Sequence, residues 1–587
     1  MSISGNWDSG KAGEMERLGS IDRRAFVKAS GVTAAGLIFG VGPSVDRAMA
    51  APRFRDYPFK LGVASGDPRP DGVVLWTRLA PNPLAESGRG GVPRQNIAVR
   101  WEVATDEGFR RIVRQGSEVA RPELGHSVHA EVRGLAPKRP YFYRFKAGSE
   151  TSPVGRTKTT PPFGAYTAKL SFAFASCQQY EHGYFGAFRR LAQEDLDLVV
   201  HLGDYIYEYG PNEYRAAGGN VRVHNSGEIT TLAAYRNRHA QYRGDRDLQR
   251  AHAAHPWVVT WDDHEVENNY ADEIPEQGQS PEAFLQRRAN AYQAYYEHMP
   301  LRRSSVPRGP DMRLYRRLAY GNLAESTCST LGSTATTRPT ETGSRRRAPS
   351  PRIRTARSPA TARSAGCSTA WPTWARAGTS SPSRCSSPSA TSRTGLDNAS
   401  AWTRGTAIRP RGSGSSTSST AGGSRTRSCP GDVHANWAND ILRDFEDPES
   451  EVVGAEFVGT SITSGGDGSD VRADTAATLA ENPHIKFFNN QRGYVRCTLT
   501  PRQWRADYRV VPYVSQPGAP AFTRASFVVE AGNPGLQQVG EGQMSARTRR
   551  SSEVEADRLR AQGPSGRVRS GPPAGRRALR LPTVDPS

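Results

Sequence analysis

The chain has 587 residues and a formal net charge of +20, and its length predicts two domains plus additional segments. The charge is local, because residues 326–430 contain 16 Arg, no Lys and two acidic residues, and residues 541–587 contain ten Arg and five acidic residues. The remaining chain is nearly neutral. The charge therefore argues against a nucleic-acid-binding role, which needs basic residues on a folded, aromatic-bearing surface.

Residues 1–50 carry the features of an export signal. Arg23 and Arg24 form a twin-arginine pair, an apolar stretch follows over residues 29–41, and Ala48-Met49-Ala50 resembles a cleavage site. A lone amphipathic helix would explain this order of features less well. The apolar stretch is also too short to form a stable membrane span. The sequence predicts a twin-arginine signal peptide, the twin-arginine export machinery as a partner, and a secreted or cell-wall/periplasmic protein.

Short strands are predicted from the end of this signal to about residue 162. Residues 61–68 and 72–78 are rich in Gly and Val, and residues 99–103 alternate apolar and polar side chains with a period of two. A further aromatic run occupies residues 141–145. This pattern predicts an N-terminal β-sandwich domain over residues 55–162.

An α/β pattern follows. The apolar runs 170–175, 196–202 and 257–261 are typical of buried strands, and helical spacing occurs over residues 184–194 and 232–254. We expect a second domain whose first part covers residues 168–325 and whose second part covers residues 431–530. In such sheets ligands bind beyond the carboxyl ends of the strands.

Polar clusters follow each of these apolar runs. They are Ala175-Ser176-Cys177, residues 203–207 and residues 261–265, and residues 431–434 form a similar cluster further along the chain. Asp204 and Tyr207 are three residues apart, which would allow both to reach one ion. Phenolate and thiolate suit Fe(III), whereas carboxylates suit Ca²⁺, Mg²⁺ or Mn²⁺. The sequence predicts a site for more than one metal ion.

Each candidate ligand also has a structural alternative. Asp204 would serve as a helix N-cap after a strand, and Tyr207 as a packing tyrosine. Asp262 and Asp263 are harder to explain without cations, because adjacent buried carboxylates repel each other. Cys177 and Cys497 would pair in an exported protein, but we favour Cys177 as a metal ligand and Cys497 as a core residue. Three further histidines are interpreted as packing or surface residues: His182, His201 and His255.

Five sequence blocks together resemble the alkaline phosphatase D family of the calcineurin-like metallophosphoesterases. They are Phe174-Ala-Ser-Cys-Gln-Gln-Tyr180, His201-Leu-Gly-Asp-Tyr-Ile-Tyr-Glu-Tyr209, Thr260-Trp-Asp-Asp-His-Glu-Val-Glu-Asn-Asn269, Gly431-Asp-Val-His-Ala-Asn-Trp437 and Glu456-Phe-Val-Gly-Thr-Ser461. The resemblance covers about residues 55–325 and 430–530. It implies an α/β fold with a sandwich of two β-sheets flanked by helices, preceded by a fibronectin-type β-sandwich domain.

The resemblance also implies a chemistry. It suggests an alkaline phosphatase and phosphodiesterase that hydrolyses phosphate mono- and diesters by metal-activated hydroxide, with Fe(III) and Ca²⁺ as cofactors. The implied metal ligands are Cys177, Asp204, Tyr207, Asp262, Asp263, His434 and, as a weaker candidate, Asp432. The implied catalytic residues are Asp204, which bridges cations, and His264, which acts near the leaving group.

Residues 326–430 do not fit this pattern. They contain 42 Ser or Thr in 105 residues and no Val, Phe or Tyr, so we expect them not to form a core. A disordered insertion would have this composition, but we favour translation out of frame, because residues 424–430 are a poor strand before Gly431. The product would then be inactive or misfolded, and an inactive exported binding module is a further alternative. We expect residues 541–587 to form a disordered basic tail.

Overall fold

The computed structural model describes residues 53–276, 278–328, 405–410, 427–445 and 447–542. The predicted signal peptide, nearly all of the predicted C-terminal tail and most of residues 326–430 lie outside these ranges. No helix in the described ranges is both long and apolar enough to cross a membrane.

The described residues form a mixed α/β structure dominated by strands. Numbered in chain order, the strands are β1 (Val63–Arg69), β2 (Gly72–Arg78), β3 (Ile97–Ala104), β4 (Ile112–Ala120), β5 (Ser127–Arg133), β6 (Pro140–Ala147), β7 (Glu150–Thr151), β8 (Gly155–Lys158), β9 (Leu170–Ala175), β10 (Leu198–His201), β11 (Pro256–Val259), β12 (Arg316–Tyr320), β13 (Ala324–Cys328), β14 (Gly405–Pro410), β15 (Arg427–Pro430), β16 (Asn436–Leu442), β17 (Val452–Val458), β18 (Ile485–Asn489), β19 (Arg492–Leu499), β20 (Gln503–Val511), β21 (Phe522–Glu530) and β22 (Asn533–Glu541). The helices are α1 (Gly186–Leu191), α2 (Leu232–Arg243), α3 (Arg246–Ala254), α4 (Pro281–His298) and α5 (Thr475–Glu481), with 3₁₀ turns at Pro122–Leu124 and Arg303–Ser305.

The largest sheet of the described residues has ten strands in the order β22-β21-β20-β19-β9-β10-β11-β1-β2-β5. At its centre, β9, β10 and β11 are parallel, as their apolar sequences predict, and His201 pairs with Ala175 on one side and Val259 on the other. The three strands therefore end at the same level. The polar clusters that follow them leave the sheet side by side.

A second sheet, in the order β12-β13-β14-β15-β17-β16-β18, packs on one face of the first. Phe174 and Val200 from the large sheet share a core with Phe457 and Phe487 from the second sheet. On the other face the helices contribute Phe188, Tyr235 and Tyr292, among others, to a separate core. The predicted sandwich of two sheets flanked by helices is confirmed.

The N-terminal sandwich shares one of its layers with the rest of the protein. A smaller sheet, β4-β3-β6-β7 with β8 on β6, packs against β1, β2 and β5 through a core that includes Val73, Val99 and Tyr143. Strand β1 in turn pairs in parallel with β11, with Ser65 opposite Pro256. The sandwich is thus continuous with the central sheet.

Three local predictions need correction. The helix predicted over residues 232–254 is two helices, because the chain turns at Gly244 and Asp245 caps α3 by accepting hydrogen bonds from the backbone of Asp247 and Leu248. The helix predicted over residues 184–194 is limited to α1. Gly431 does follow a strand: β15 pairs with β14 and, in parallel, with β17, so its position in the sheet outweighs a sequence that is poor in strand formers.

Candidate metal centre

The carboxyl ends of β9 and β10 are joined by backbone hydrogen bonds. The Cys177 N–H donates to the carbonyl of Gly203, and the Gln178 N–H donates to the carbonyl of Asp204, at 3.1 and 3.0 Å. A Cβ atom at Gly203 would lie 2.6 Å from the backbone nitrogen of Asp262, which follows β11. Glycine is therefore needed for the close approach of the second and third clusters.

The predicted ligands other than Tyr207, together with the predicted catalytic residue His264, form three adjoining groups. Within each group one ligand atom from every residue lies within 4.8 Å of the others. The groups are Cys177, Asp204 and His434; Asp204, Asp263 and His264; and Asp262, Asp263 and Asp432. Asp204 belongs to the first two groups and Asp263 to the last two. This overlap is the arrangement expected where carboxylates bridge neighbouring cations.

Asp204 is completely buried, and its two oxygens differ. Oδ2 accepts a hydrogen bond from the Tyr207 hydroxyl at 2.9 Å, whereas Oδ1 has no hydrogen-bond partner among the described residues. Buried polar atoms are nearly always bonded, so an open carboxylate oxygen at this point fits a metal ligand.

Tyr207 connects the first group to a neighbouring loop. Its hydroxyl also lies 2.8 Å from the Ser464 hydroxyl and 3.5 Å from Nε2 of His434. The backbone carbonyl of His434 accepts a hydrogen bond from Arg492. The structure therefore brings Tyr207 and His434 together, as predicted, although they are far apart in the sequence.

Four of the candidate ligands have left-handed backbone conformations. The φ angles are 57° at Cys177, 54° at Asp204, 71° at Asp432 and 55° at His434. Positive φ is uncommon outside glycine, and such strain concentrates at functional sites. Four instances within one cluster of donors support a functional role for the cluster.

His264 is positioned by a residue that the sequence did not single out. Its Nδ1 lies 2.8 Å from a Glu208 carboxylate oxygen, and the other oxygen of Glu208 accepts a hydrogen bond from the Asn268 N–H. The imidazole also packs against the Tyr207 ring at a centroid distance of 4.1 Å. In the sequence, the only signal for this role of Glu208 was its position next to Tyr207.

Glu265 is a second residue missed from the sequence. One carboxylate oxygen accepts hydrogen bonds from the Asp204 and Asp262 N–H groups at 3.1 and 2.8 Å, and the other accepts from the Tyr205 N–H. Glu265 therefore links two of the ligand loops. Its position next to His264 in the sequence block was the available signal.

The electrostatics of the site favour added cations. Burial raises the pKa of Asp204 to about 7, with the charges of Asp263 and Asp432 adding to the effect. Burial, together with the nearby Asp204, also raises the pKa of Cys177 and of Tyr207 well above their ordinary values. Cations would offset these costs and allow all three groups to ionise. The residues present therefore fit a multinuclear metal site.

The two histidines of the site favour different protonation states. Burial lowers the pKa of His434 to about 3, which leaves the neutral imidazole that binds metals. Burial also disfavours the charged form of His264, but Glu208, Asp204 and Asp263 outweigh it and raise the pKa well above the ordinary value. The three carboxylates therefore favour the protonated form of His264.

The remaining sequence interpretations concern residues outside the ligand groups. His182, His201 and His255 are buried, and His182 accepts a hydrogen bond from the Gly465 N–H at 3.0 Å. Cys177 and Cys497 are both free and buried, so they do not pair. Cys497 lies in the core of the two sheets, as predicted.

Comparison with known proteins assigns the family. A model described as PhoD-like phosphatase matches residues 172–333 and 419–508, and one described as the N-terminal domain of PhoD-like phosphatase matches residues 45–161. Alkaline phosphatase D of Bacillus subtilis (strain 168) is 52% identical over 548 residues, covering 92% of this chain and 93% of that protein. The chain belongs to the PhoD-like phosphatase family. The resemblance found in the sequence is confirmed.

A solved structure supports the same assignment. A protein described as "Structure of PhoD" is 47% identical, with a TM-score of 0.68, covering 87% of this chain and 99% of that one. The chain is therefore a phosphoester hydrolase with a PhoD fold. The clusters described above are its possible metal-binding groups.

Proposed function

We propose that this phosphatase is metal-dependent and hydrolyses phosphate monoesters and diesters at alkaline pH, with Fe(III) and Ca²⁺ as cofactors. One observation supports the proposal most directly. The three groups of candidate metal ligands overlap, because Asp204 and Asp263 each belong to two of them. A single structural aspartate cap would not require the unbonded, buried Oδ1 of Asp204.

The donor types divide the site between two kinds of cation. Cys177, Tyr207 and His434 surround Asp204 with a thiol, a phenol and an imidazole, which suit Fe(III). Asp262, Asp263 and Asp432 offer carboxylates, which suit Ca²⁺. Bound cations would neutralise the phosphate oxygens, activate water and offset charge on the leaving oxygen.

His264 supplies the proton in this proposal. Glu208 holds Nδ1 of the imidazole, so the proton available to a substrate is the one on Nε2. Donation of that proton to the leaving oxygen would release an alcohol. Return of a proton from solvent would restore the imidazolium, which the adjacent Glu208 carboxylate favours.

Replacement of Asp204 tests the proposal. Asp204→Asn should keep the fold, lower bound metal and reduce phosphatase activity by several orders of magnitude, because it removes the bridging charge. Asp474→Asn, at an exposed position, is the matched control and should leave the bound metal and the phosphatase activity unchanged. Chelation of wild-type protein should abolish activity and metal addition should restore it. Full turnover by Asp204→Asn with unchanged metal content would contradict the proposal.

Export through the twin-arginine pathway is the second part of the proposal, supported by Arg23, Arg24 and the apolar stretch after them. Arg23→Lys combined with Arg24→Lys should retain the protein inside the cell, because lysine keeps the charge but not the planar guanidinium. Cleaved protein appearing outside in undiminished amount would show that another route is used.

A second candidate is an inactive product of a disrupted phosphatase gene. The matches of the family model leave out residues 334–418, which lie within the unusual residues 326–430. Retranslation of the coding DNA for residues 326–430 should then yield apolar strands in another frame. A chain carrying that replacement should be active where the present chain is not, and equal activity of both chains would exclude this candidate.

A further inference from the structure

Arg492, the first residue of β19, is buried in contact with one of the candidate ligands. Its guanidinium donates hydrogen bonds to the backbone carbonyl of His434, to the carbonyl of Gly466 at 2.8 Å and to the Ser461 hydroxyl at 2.9 Å. Gly466 and Ser461 belong to the loop that follows β17. One side chain therefore joins this loop to the cluster at residues 431–434.

The loop after β17 reaches two further candidate ligands. The Ser461 hydroxyl donates a hydrogen bond to the carbonyl of Ser464 at 2.7 Å. The Ser464 hydroxyl donates to the carbonyl of Cys177 at 2.8 Å and lies 2.8 Å from the Tyr207 hydroxyl. These are normal hydrogen-bond distances. Arg492 and two serines thus connect the residues that carry the imidazole, the thiol and the phenol.

The backbone of His434 needs a constraint from its surroundings. Its φ angle of 55° is left-handed, which costs on the order of 1 kcal/mol and persists where neighbouring groups hold the residue in place. The strand before it, β15, has a sequence that is poor in strand formers. A charged donor on the His434 carbonyl supplies such a constraint, because hydrogen bonds from charged groups are stronger than neutral ones.

We propose that Arg492 is a positioning residue of the phosphatase, which holds the backbone of His434 and, through Ser461, the loop that contacts Tyr207. The imidazole of His434 then keeps its place 3.5 Å from the Tyr207 hydroxyl. This role rests on the proposed metal centre, although Arg492 is not itself a candidate ligand. Lysine would not replace it, because an ammonium group lacks the planar arrangement of N–H groups that reaches several fixed acceptors.

Arg78 provides a matched control for a purely structural arginine. It is completely buried and donates to the carbonyls of Gly88 and Gly125. Burial lowers the pKa of Arg78 to about 10, as it does for Arg492. The described hydrogen-bond partners of Arg78 include no candidate ligand. Arg78→Lys should therefore destabilise the fold without disturbing the metal centre.

Hydrogen exchange in the metal-free full chain tests the positioning directly. In Arg492→Lys the backbone amides of residues 432–435 should exchange about 10-fold faster than in the wild-type protein, because a hydrogen bond from a charged group is lost. In Arg78→Lys they should exchange at the wild-type rate, even where the melting temperature falls as far. A wild-type rate at residues 432–435 in Arg492→Lys would overturn the proposal.

Metal binding tests the consequence. Titration of metal-free protein with Fe(III) should show an affinity about 10–100-fold lower in Arg492→Lys, the range typical of groups that orient metal ligands, and an unchanged affinity in Arg78→Lys. Ser461→Ala keeps the guanidinium but removes the link to Ser464, so it should also lower the affinity, and it decides the question if Arg492→Lys does not fold. Wild-type affinity in Ser461→Ala, or an equal loss in Arg78→Lys, would overturn the proposal.

The two proposals fail in different experiments. Wild-type activity that survives chelation would contradict the metal-dependent function. The exchange rates of residues 432–435 are measured without metal, so they decide whether Arg492 holds His434 whichever cation the site binds.

Discussion

Asp204 combines several unusual properties in one residue. Its backbone is left-handed, its side chain is buried, and one carboxylate oxygen is open while the other accepts the Tyr207 hydroxyl. The left-handed conformation alone costs on the order of 1 kcal/mol, and burial of the carboxylate costs more. Such costs persist where neighbouring residues hold the group in place, and here Glu265 binds the backbone N–H groups of Asp204 and of the residue after it.

Glu265→Gln tests this supporting role. The amide can accept only at one atom, so one of the two loop contacts, to Asp204 and Asp262 or to Tyr205, should be lost. We expect metal affinity to fall by about 10–100-fold, as is typical for groups that orient metal ligands. Metal titration measures this, with Glu273→Gln at an exposed position as the control. Unchanged affinity would show that Glu265 acts only in packing.

The colour of the protein tests the proposed iron. Phenolate and thiolate bound to Fe(III) should give a visible absorption band, which closed-shell Ca²⁺, Mg²⁺ and Zn²⁺ cannot produce. Tyr207→Phe should shift or remove the band and Cys177→Ser should alter it, while Cys497→Ser, in the core, should leave it unchanged. A colourless, iron-free and fully active protein would exclude iron but not the phosphatase activity.

At the scale of elements, the site depends on three parallel strands ending together. The register of β9, β10 and β11 places Ala175, His201 and Val259 side by side, so the following loops start from one edge. The loops after β10 and β11 then approach so closely that Gly203 has no space for a side chain. Strand register and one glycine thus determine the spacing of the candidate ligands.

Gly203→Ala should disturb this spacing. The added methyl group would meet the Asp262 backbone at 2.6 Å, and the φ angle of 119° is unfavourable for alanine. We expect a lower melting temperature and a large loss of bound metal, measured by calorimetry and elemental analysis. At Gly218 an added Cβ atom would have no atom within 4 Å, so Gly218→Ala should change neither the melting temperature nor the bound metal. Equal metal content in both variants would contradict the argument.

At the scale of the molecule, the interior contains many neutral histidines. Burial lowers the pKa to about 4 in His129 and His255, to about 3 in His201 and His239, and to about 2 in His224. It also lowers the pKa of His252 and His298 well below the ordinary value. These imidazoles are buried in the folded protein in their neutral form. They therefore bind protons more readily after the chain unfolds.

Stability should therefore fall in mild acid. Below about pH 6.5 the unfolded chain binds protons at these histidines, whereas the folded chain binds them only at lower pH. The contribution of the neutral histidines to the free energy of unfolding is therefore fully present above about pH 6.5 and is lost as the pH falls. Each histidine contributes at most ~1.4 kcal/mol per pH unit. Among the described residues, seven groups with raised pKa values oppose the trend: Asp204, His264, Glu265, Glu456, Glu118, Asp247 and Glu267. The histidines with lowered pKa values are more numerous, because His126, His182, His434 and His484 join the seven named above. The melting temperature should be lower at pH 5.5 than at pH 7.5, and an equal or higher value would contradict this.

Much of the fold and site could be predicted because the signals are local. The apolar runs became β9, β10 and β11, and the candidate ligands in the clusters after them converge because parallel strands end at a common edge. The residues missed, Glu208 and Glu265, lie beside predicted ones. Their roles depend on which backbone and imidazole groups approach them, and sequence spacing carries no information about that.

The sequence by itself determined the central strands, the types of the candidate ligands and the family resemblance, because each depends on residues close together in the chain. Only the tertiary structure decided that β1 joins the central sheet, that β15 forms a strand despite its composition, and that Glu265 holds the loops of Asp204 and Asp262 together. These outcomes follow from pairing and burial between distant segments. The physical reason is that the free energy of a strand or a buried charge is set by its neighbours in space.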